Sequence, residues 1–229
     1  MHIIKNTVDF PTLIRRISLL SILEKDAQVD LERRFVYKRY PGGTKISSVK
    51  AGDQYLIRSG RVYQFLTDDQ GEDLLLNVLT TGEMFGTPFK RNSSSIDICY
   101  VAQEDTSLLI LHKNSFKQHL KKFPQSALVF IKKADRHLQE TYEAMACLSM
   151  GDAPARLKKL LVRLGEKEGR IKNNEIILSS SHTQSEFARM IGTRRETVSR
   201  ILSQLEKEGF IVRRGRKIIL HSHNQKKLA

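Results

Sequence analysis

The segment QSEFARMIGTRRETVSRILSQLEKEGF, residues 184–210, constrains the fold more than any other part of the chain. A small Ala188 is followed four residues later by Gly192, and then by Val198 and Ile201. Two helices joined by a tight turn need that combination. The alanine lets the helices approach, the glycine accepts the dihedrals of the turn, and the two branched residues anchor the second helix on the first. Thr193 is placed to cap that second helix, which the pattern runs from about Arg194 to Lys207. Val198, Ile201, Leu202 and Leu205 share its core face, leaving Arg195, Glu196, Ser199 and Arg200 on the exposed amino-terminal turns. In a helix-turn-helix those turns meet base edges. Arg bridges guanine O6 and N7, Glu accepts from cytosine N4, and Ser takes a donor or an acceptor. The competing reading is a solvated surface helix whose Glu196 and Arg200 pair at i,i+4.

Charge favours the first reading. From Met150 to Ala229 there are 18 Lys or Arg against 8 Asp or Glu, a net of +10 out of the chain's +14. Such a basic third binds a polyanion by releasing its condensed counterions. Beyond the second helix, IVRRGRKIIL sets two apolar arms around a basic glycine turn, the pattern of a β-wing. Arg213, Arg214, Arg216 and Lys217 then fall near the phosphate backbone, where they add affinity without sequence information. Thr183, Gln184 and Ser185 at the start of the first helix, and Arg194, are further phosphate-contact candidates.

The rest of the chain divides by texture. Residues from about 10 to 35 carry apolar positions at helical spacing (Leu13, Ile17, Leu20, Leu23), predicting one or two short helices. From Arg39 to about His112, the runs VYQFL, LLLNVL, ICYVA and SLLIL are separated by turn signals at PGG, AGD, SGR, DDQG and TTGE, which reads as a compact antiparallel barrel or sandwich. After Pro124 a long helix is expected, with Ala127, Ile131, Ala134, Leu138, Thr141, Met145 and Leu148 spaced 4, 3, 4, 3, 4, 3 as a heptad seam. A helix of about 24 residues runs ~36 Å, longer than a small barrel covers, so the seam predicts a homodimer interface. Ser149-Met150-Gly151-Asp152 follows as a hinge, with Asp152 able to cap a helix from about 153 to 168, before a short strand from Glu175 to Leu178. The expected domains are 1–122, 123–150 and 151–229, in an α+β chain.

The two cysteines, Cys99 and Cys147, exclude a disulfide scaffold and a four-cysteine metal site within one chain. They leave a redox pair as a candidate, against the reading of two inert thiols. No run of about 18 apolar residues predicts a membrane span, so a cytoplasmic protein is expected. An enzyme on a cupin-like barrel would need clustered histidine ligands in the strands, and the barrel segment before His112 has no histidine. A non-specific or architectural nucleic-acid binder is the alternative function, and Glu196 opposes it, because a carboxylate in the groove weakens indiscriminate binding.

At RRETVSRILSQLEKEGFI followed by a wing, the chain resembles the Crp/Fnr family of bacterial transcription regulators, and AGDQYLIRSGRV and TGEMFG extend the resemblance over nearly the whole chain. The resemblance implies an amino-terminal cyclic-nucleotide-binding-type β-roll, a long dimerisation helix and a carboxy-terminal winged helix-turn-helix. It implies Arg195, Glu196 and Arg200 as base readers in the catabolite activator branch, or Glu196, Ser199 and Arg200 in the Fnr branch. It implies a palindromic double-stranded operator with half-sites like TGTGA or TTGAT, and admits RNA polymerase as a partner. No cofactor is expected. Cyclic-AMP-binding members carry a Glu after the GEMFG-type turn, where this chain has Thr87 or a near neighbour. They carry an Arg for the phosphate, which falls here near Ile96 or Asp97. Thr141 matches an adenine-contacting Thr, but Tyr142 stands where a small hydroxyl residue is expected. The amino-terminal cysteine group of an Fnr-type cluster is absent, and no histidine has a distinctive haem-ligand setting.

Overall fold

The computed structural model describes residues 20–46, 49–67, 73–86, 97–149, 151–172, 175–178, 182–215 and 217–221. Thr87, Ile96, Arg216, Leu13 and Ile17, and the side chains of Asp97, Cys147 and Leu148, lie outside the described set. The chain divides into two compact units, Met1–Glu140 and Thr141–Ala229.

Among the described residues the first unit is a β-roll of seven strands: β1 Val36–Tyr40, β2 Gln54–Ser59, β3 Arg61–Thr67, β4 Asp73–Thr80, β5 Met84–Phe85, β6 Asp97–Ala102 and β7 Thr106–Leu111. They form two antiparallel sheets, ordered β1-β7-β2-β5 and β4-β3-β6. The period-two alternation of strands sorts their side chains. Tyr55 and Ile57 of β2 and Leu108 and Ile110 of β7 share a core with Val62, Leu79, Phe85 and Tyr100. Leu56, Leu109 and Leu111, which alternate with them in sequence, join Leu20, Leu23, Ala27, Leu31 and Val129 in a second core. Residues of β7 are buried on both faces, which is why its sequence is a continuous apolar run rather than an alternating one. Strand β1 eluded the apolar pattern because it is an edge strand whose VYKRY is mostly exposed. Gly86 has φ +115°, and a Cβ there would lie 2.4 Å from the carbonyl oxygen of Asp53, so no other residue fits after β5.

The helices of this unit are a short 3-10 turn at Leu20–Ile22, α1 Lys25–Arg34 and α2 Lys113–Lys122. Helix α3, Ser126–Ser149, has the expected 24 residues and carries the chain across the division between the units. A buried polar network joins α1 and α2 to the first turn of α3. His119, 0% exposed, meets Asp30 Oδ2 through Nδ1 at 2.9 Å and Ser126 Oγ through Nε2 at 3.0 Å. Asp30 also accepts from Arg34 Nε at 2.6 Å, and Lys122 Nζ stands 3.6 Å away. Burial pushes the imidazole of His119 below its ordinary value, with Asp30 pulling it partly back. The Arg34 hydrogen bond leads in holding the Asp30 carboxyl down at about 2.

Both groups bind protons more tightly in the unfolded chain, so their contribution is full above the unfolded values of 6.5 and 3.8 and is lost on acidification. Stability of this unit is expected to fall as the pH drops below about 6.5, through the His119 step, and to fall again from about pH 4 to 2, through Asp30. Thermal unfolding of His119→Gln followed from neutral pH to about pH 5 checks this. The variant should show a flatter pH dependence than the parent, and parallel curves would refute the assignment.

The second unit contains α4 Ala153–Glu168, β8 Arg170–Lys172, β9 Glu175–Leu178, α5 Gln184–Ile191, α6 Arg195–Lys207, β10 Ile211–Arg214 and β11 Lys217–His221. Its sheet is antiparallel in the order β10-β11-β9-β8. As anticipated, Asp152 caps α4, accepting from the amide of Ala155 at 2.9 Å, while Gly151 takes φ +83°. Arg156 on α4 donates from Nη1 to the carbonyl of Gly151 and from Nε to that of Ile191, both at 3.1 Å. Leu157, Leu160, Leu161 and Leu164 give α4 a buried apolar stripe at helical spacing. No helix among the described residues is long and apolar enough to cross a membrane.

Candidate nucleic-acid interface

Helices α5 and α6 are the two arms of the helix-turn-helix. A capping box starts α5. The hydroxyl of Thr183 accepts from the Glu186 amide at 3.2 Å, while the Glu186 carboxylate accepts from the Thr183 amide. The helix ends where Gly192 adopts the left-handed conformation (φ 61°, ψ 54°) and its amide bonds back to Ala188. One expectation is corrected here. Thr193 does not cap α6. The left-handed turn at Gly192 directs the Thr193 amide to the Ala188 carbonyl at 3.0 Å, so the turn takes one residue more. Arg194 becomes the residue before α6 and makes no side-chain cap.

The core face of α6 is the predicted one: Val198, Ile201, Leu202 and Leu205 are all buried. The opposite face lines an open groove formed by Gln184, Arg195, Glu196, Ser199, Arg200 and Ser203. All four residues read from the sequence as base readers therefore meet in one place. Gln184, read there as a phosphate-contact residue, stands among them. Arg195, Glu196 and Arg200 are exposed, and Gln184 and Ser199 half-buried.

The distribution of partners along α6 is uneven. The i,i+4 pair between Glu196 and Arg200 does not form, and among the described residues Gln184, Arg195, Glu196, Ser199 and Arg200 have no side-chain hydrogen bond or ion pair. The carboxy-terminal half is instead tied down. Arg213 of β10 donates to Glu206 from Nε at 2.9 Å and Nη2 at 2.7 Å, and from its backbone amide at 3.1 Å. Its Nη2 also reaches Ser203 Oγ at 3.3 Å, and that hydroxyl donates to the Ser199 carbonyl at 3.1 Å. Glu208 accepts from Lys158 Nζ and from Gln204 Nε2, both at 2.8 Å. The Arg213 hydrogen bonds hold the Glu206 carboxyl below its usual range, and Lys158 does the same for Glu208.

Of the phosphate candidates, Arg194, Arg214 and Lys217 are exposed, and Ser185 is half-buried. Arg214 and Lys217 are register partners at the tip of the wing, flanking Gly215 at φ +61°. Thr183 is engaged in the capping box. Arg213 is held inside the unit by Glu206, seven residues away, a pairing with no local signature in the sequence.

On α3, Ile131, Leu138 and Met145 of the expected seam are exposed, as is Ala134, while Thr141 is half-buried. Leu128 and Tyr142 belong to the same stripe and were not anticipated. The five large residues Leu128, Ile131, Leu138, Tyr142 and Met145 are 46–62% exposed, at spacings of 3, 7, 4 and 3. Each missed residue stands one position after a smaller one, Ala127 or Thr141, that also fits the heptad, and side-chain size was the available signal. Cys99 is half-buried on β6, its Sγ 3.5 Å from Thr67 Oγ1. No group of three or more His, Cys, Asp or Glu able to hold a metal occurs among the described residues.

Residues 155–225 match the model of the Crp-like helix-turn-helix domain. The chain is 32% identical over 189 residues to the cyclic AMP receptor protein of Thermus thermophilus, covering 80% of this chain and 83% of that one. It is 24% identical over 215 residues to a CRP-like cAMP-activated global transcriptional regulator of Mycobacterium tuberculosis, covering 91% and 94%. The fold superposes on a CooA mutant from Carboxydothermus hydrogenoformans with a TM-score of 0.75, at 22% identity and over 98% of this chain and 97% of that one.

Proposed function

The chain belongs to the Crp/Fnr family of transcription regulators, and on that premise we propose that it works as a homodimer that reads a palindromic operator through the exposed turns of α6. The observation that carries this reading is the set of groups in the α6 groove that have no side-chain partner among the described residues. Charged side chains on a helix surface normally find neighbours at i,i+4. Here Arg195, Glu196 and Arg200 bond to no partner among the described residues, whereas Glu206 near the end of the helix and Glu208 just after it are each held by a cation. A free guanidinium and a free carboxylate side by side discriminate guanine from cytosine at neighbouring positions without first breaking an internal bond.

Arg194, Arg214 and Lys217, with the hydroxyl of Ser185, supply phosphate contacts beside the groove. Arg213 contributes indirectly, by fixing β10 and the wing against α6. The apolar stripe of α3 pairs with its counterpart in a second copy, and two-fold symmetry then sets the half-sites about one helical turn apart. A non-specific binder would have no use for Glu196, whose charge opposes every phosphate equally.

The relatives above carry cyclic AMP in their names. For this chain a different signal is the better reading, since the residue types at Thr87, Ile96 and Asp97 offer neither a ribose-binding carboxylate nor a phosphate-binding guanidinium. Millimolar cyclic AMP is expected to leave both the thermal unfolding temperature and operator affinity unchanged, and a saturable upward shift of either would refute this.

Selection of bound sequences from a random duplex pool tests the main reading. The expected product is a two-fold symmetric site, preferred over random duplex by ~10³ or more at physiological salt. Enrichment without symmetry or consensus would overturn it in favour of the architectural alternative.

A further inference from the structure

We propose that Gln184 is a fifth base-reading side chain, taking the edge of an adenine at one position in each half-site. This rests on the base-reading role of α6 and adds to it a residue from the other helix of the motif.

Gln184 is the first residue of α5, a position whose usual business in a helix-turn-helix is the phosphate backbone. Its surroundings differ from that. Its side chain lines the same groove as Arg195, Glu196, Ser199 and Arg200. The residue is half-buried, and its side-chain amide has no hydrogen-bond partner among the described residues, although it carries two donors and an acceptor. Other polar groups at both ends of the groove are committed. Thr183 and Glu186 satisfy each other in the capping box, which also fixes the direction in which α5 begins. Ser203 donates to the Ser199 carbonyl and accepts from Arg213. Among the described residues lining the groove, Gln184 is thus a free polar group on the α5 side, held on a capped helix beside the free groups of α6.

The chemistry fits a base better than a phosphate. An uncharged amide releases no counterion and adds little to sequence-independent affinity. The same amide matches adenine in the major groove, donating to N7 while accepting from N6.

The test uses the full chain, the selected palindrome and a set of duplexes carrying symmetric single base-pair changes, titrated by fluorescence anisotropy at one salt concentration. The parent should lose affinity when one A·T pair is changed. Gln184→Ala should lose about tenfold or more on the palindrome, abolish discrimination at that pair alone and leave random-duplex affinity unchanged. The near-isosteric Gln184→Glu should move the preference at that pair from adenine to cytosine, which a merely structural role would not do. Equal weakening on every duplex would make Gln184 a phosphate contact and overturn the inference, as would an unaltered profile. A parent that prefers no duplex over random sequence would instead remove the reading on which the inference depends.

Discussion

Replacing Arg200 with Ala is expected to weaken binding to the selected palindrome by about two orders of magnitude or more, with a much smaller loss on random duplex. A well-formed bidentate contact to a base is worth about 1–3 kcal/mol of discrimination, and a two-fold dimer makes it twice. The structure isolates this effect from stability. Arg200 is exposed and has no partner among the described residues, so its removal leaves no buried group unsatisfied and opens no cavity. The thermal unfolding curve should therefore superpose on that of the parent while the anisotropy titration shifts. Arg200→Lys should recover little of the loss, because an ammonium keeps the charge but not the planar fork that spans O6 and N7. A loss of equal size on both duplexes would reassign Arg200 to the phosphate backbone.

The second large effect lies on α3. Leu138 stands in the middle of the exposed apolar stripe, seven residues from both Ile131 and Met145. Leu138→Asp should convert the proposed dimer to a monomer at micromolar concentration, because a seam along α3 would have to desolvate two facing carboxylates. Sedimentation velocity reads the change directly. Operator affinity should fall in parallel, by roughly 10² or more, since the half-sites would then be bound independently and the avidity of a joined pair lost. The unfolding temperature should hardly move at concentrations where the parent is itself monomeric, as the side chain is already in solvent within one chain. A variant that remains dimeric would place the interface elsewhere.

Much of the second unit was legible because its signals are local. Helix α4 runs over the expected residues 153–168, with Asp152 as its cap, and the wing strands fall where IVRRGRKIIL placed them. Gly192 turns as required because no side chain at Ala188 obstructs the approach of α5 and α6. Less of the first unit was readable. Strand β1 hides its register in charged residues, and β5 is two residues long, recognisable only by its pairing with Tyr55 and Leu56. The cap at Thr193 failed for a local reason of another kind, since propensity names a capping residue but the conformation at Gly192 decides where its amide points. On α3, spacing alone left Ala127 and Leu128, or Thr141 and Tyr142, equally acceptable, because 3.6 residues per turn lets neighbours share a face.

The sequence by itself determined the periodic features: the helix-turn-helix, the wing, the long helix with an apolar stripe and an antiparallel barrel or sandwich. Each depends on spacings within one segment, which survive whatever the rest of the chain does. Tertiary structure alone decided which charged and polar groups are spent and which are free. Glu196 and Arg200 have the spacing of an ion pair and do not form one. Arg213 has no sequence signature of a partner and is bound to Glu206, because β10 folds back along α6. Gln184 and Ser199 share a groove only because Gly192 brings α5 onto α6. The physical reason is common to all three. Periodicity sets which face a residue occupies, whereas a hydrogen bond needs two groups within about 3 Å, and only the packing of separate elements supplies that distance.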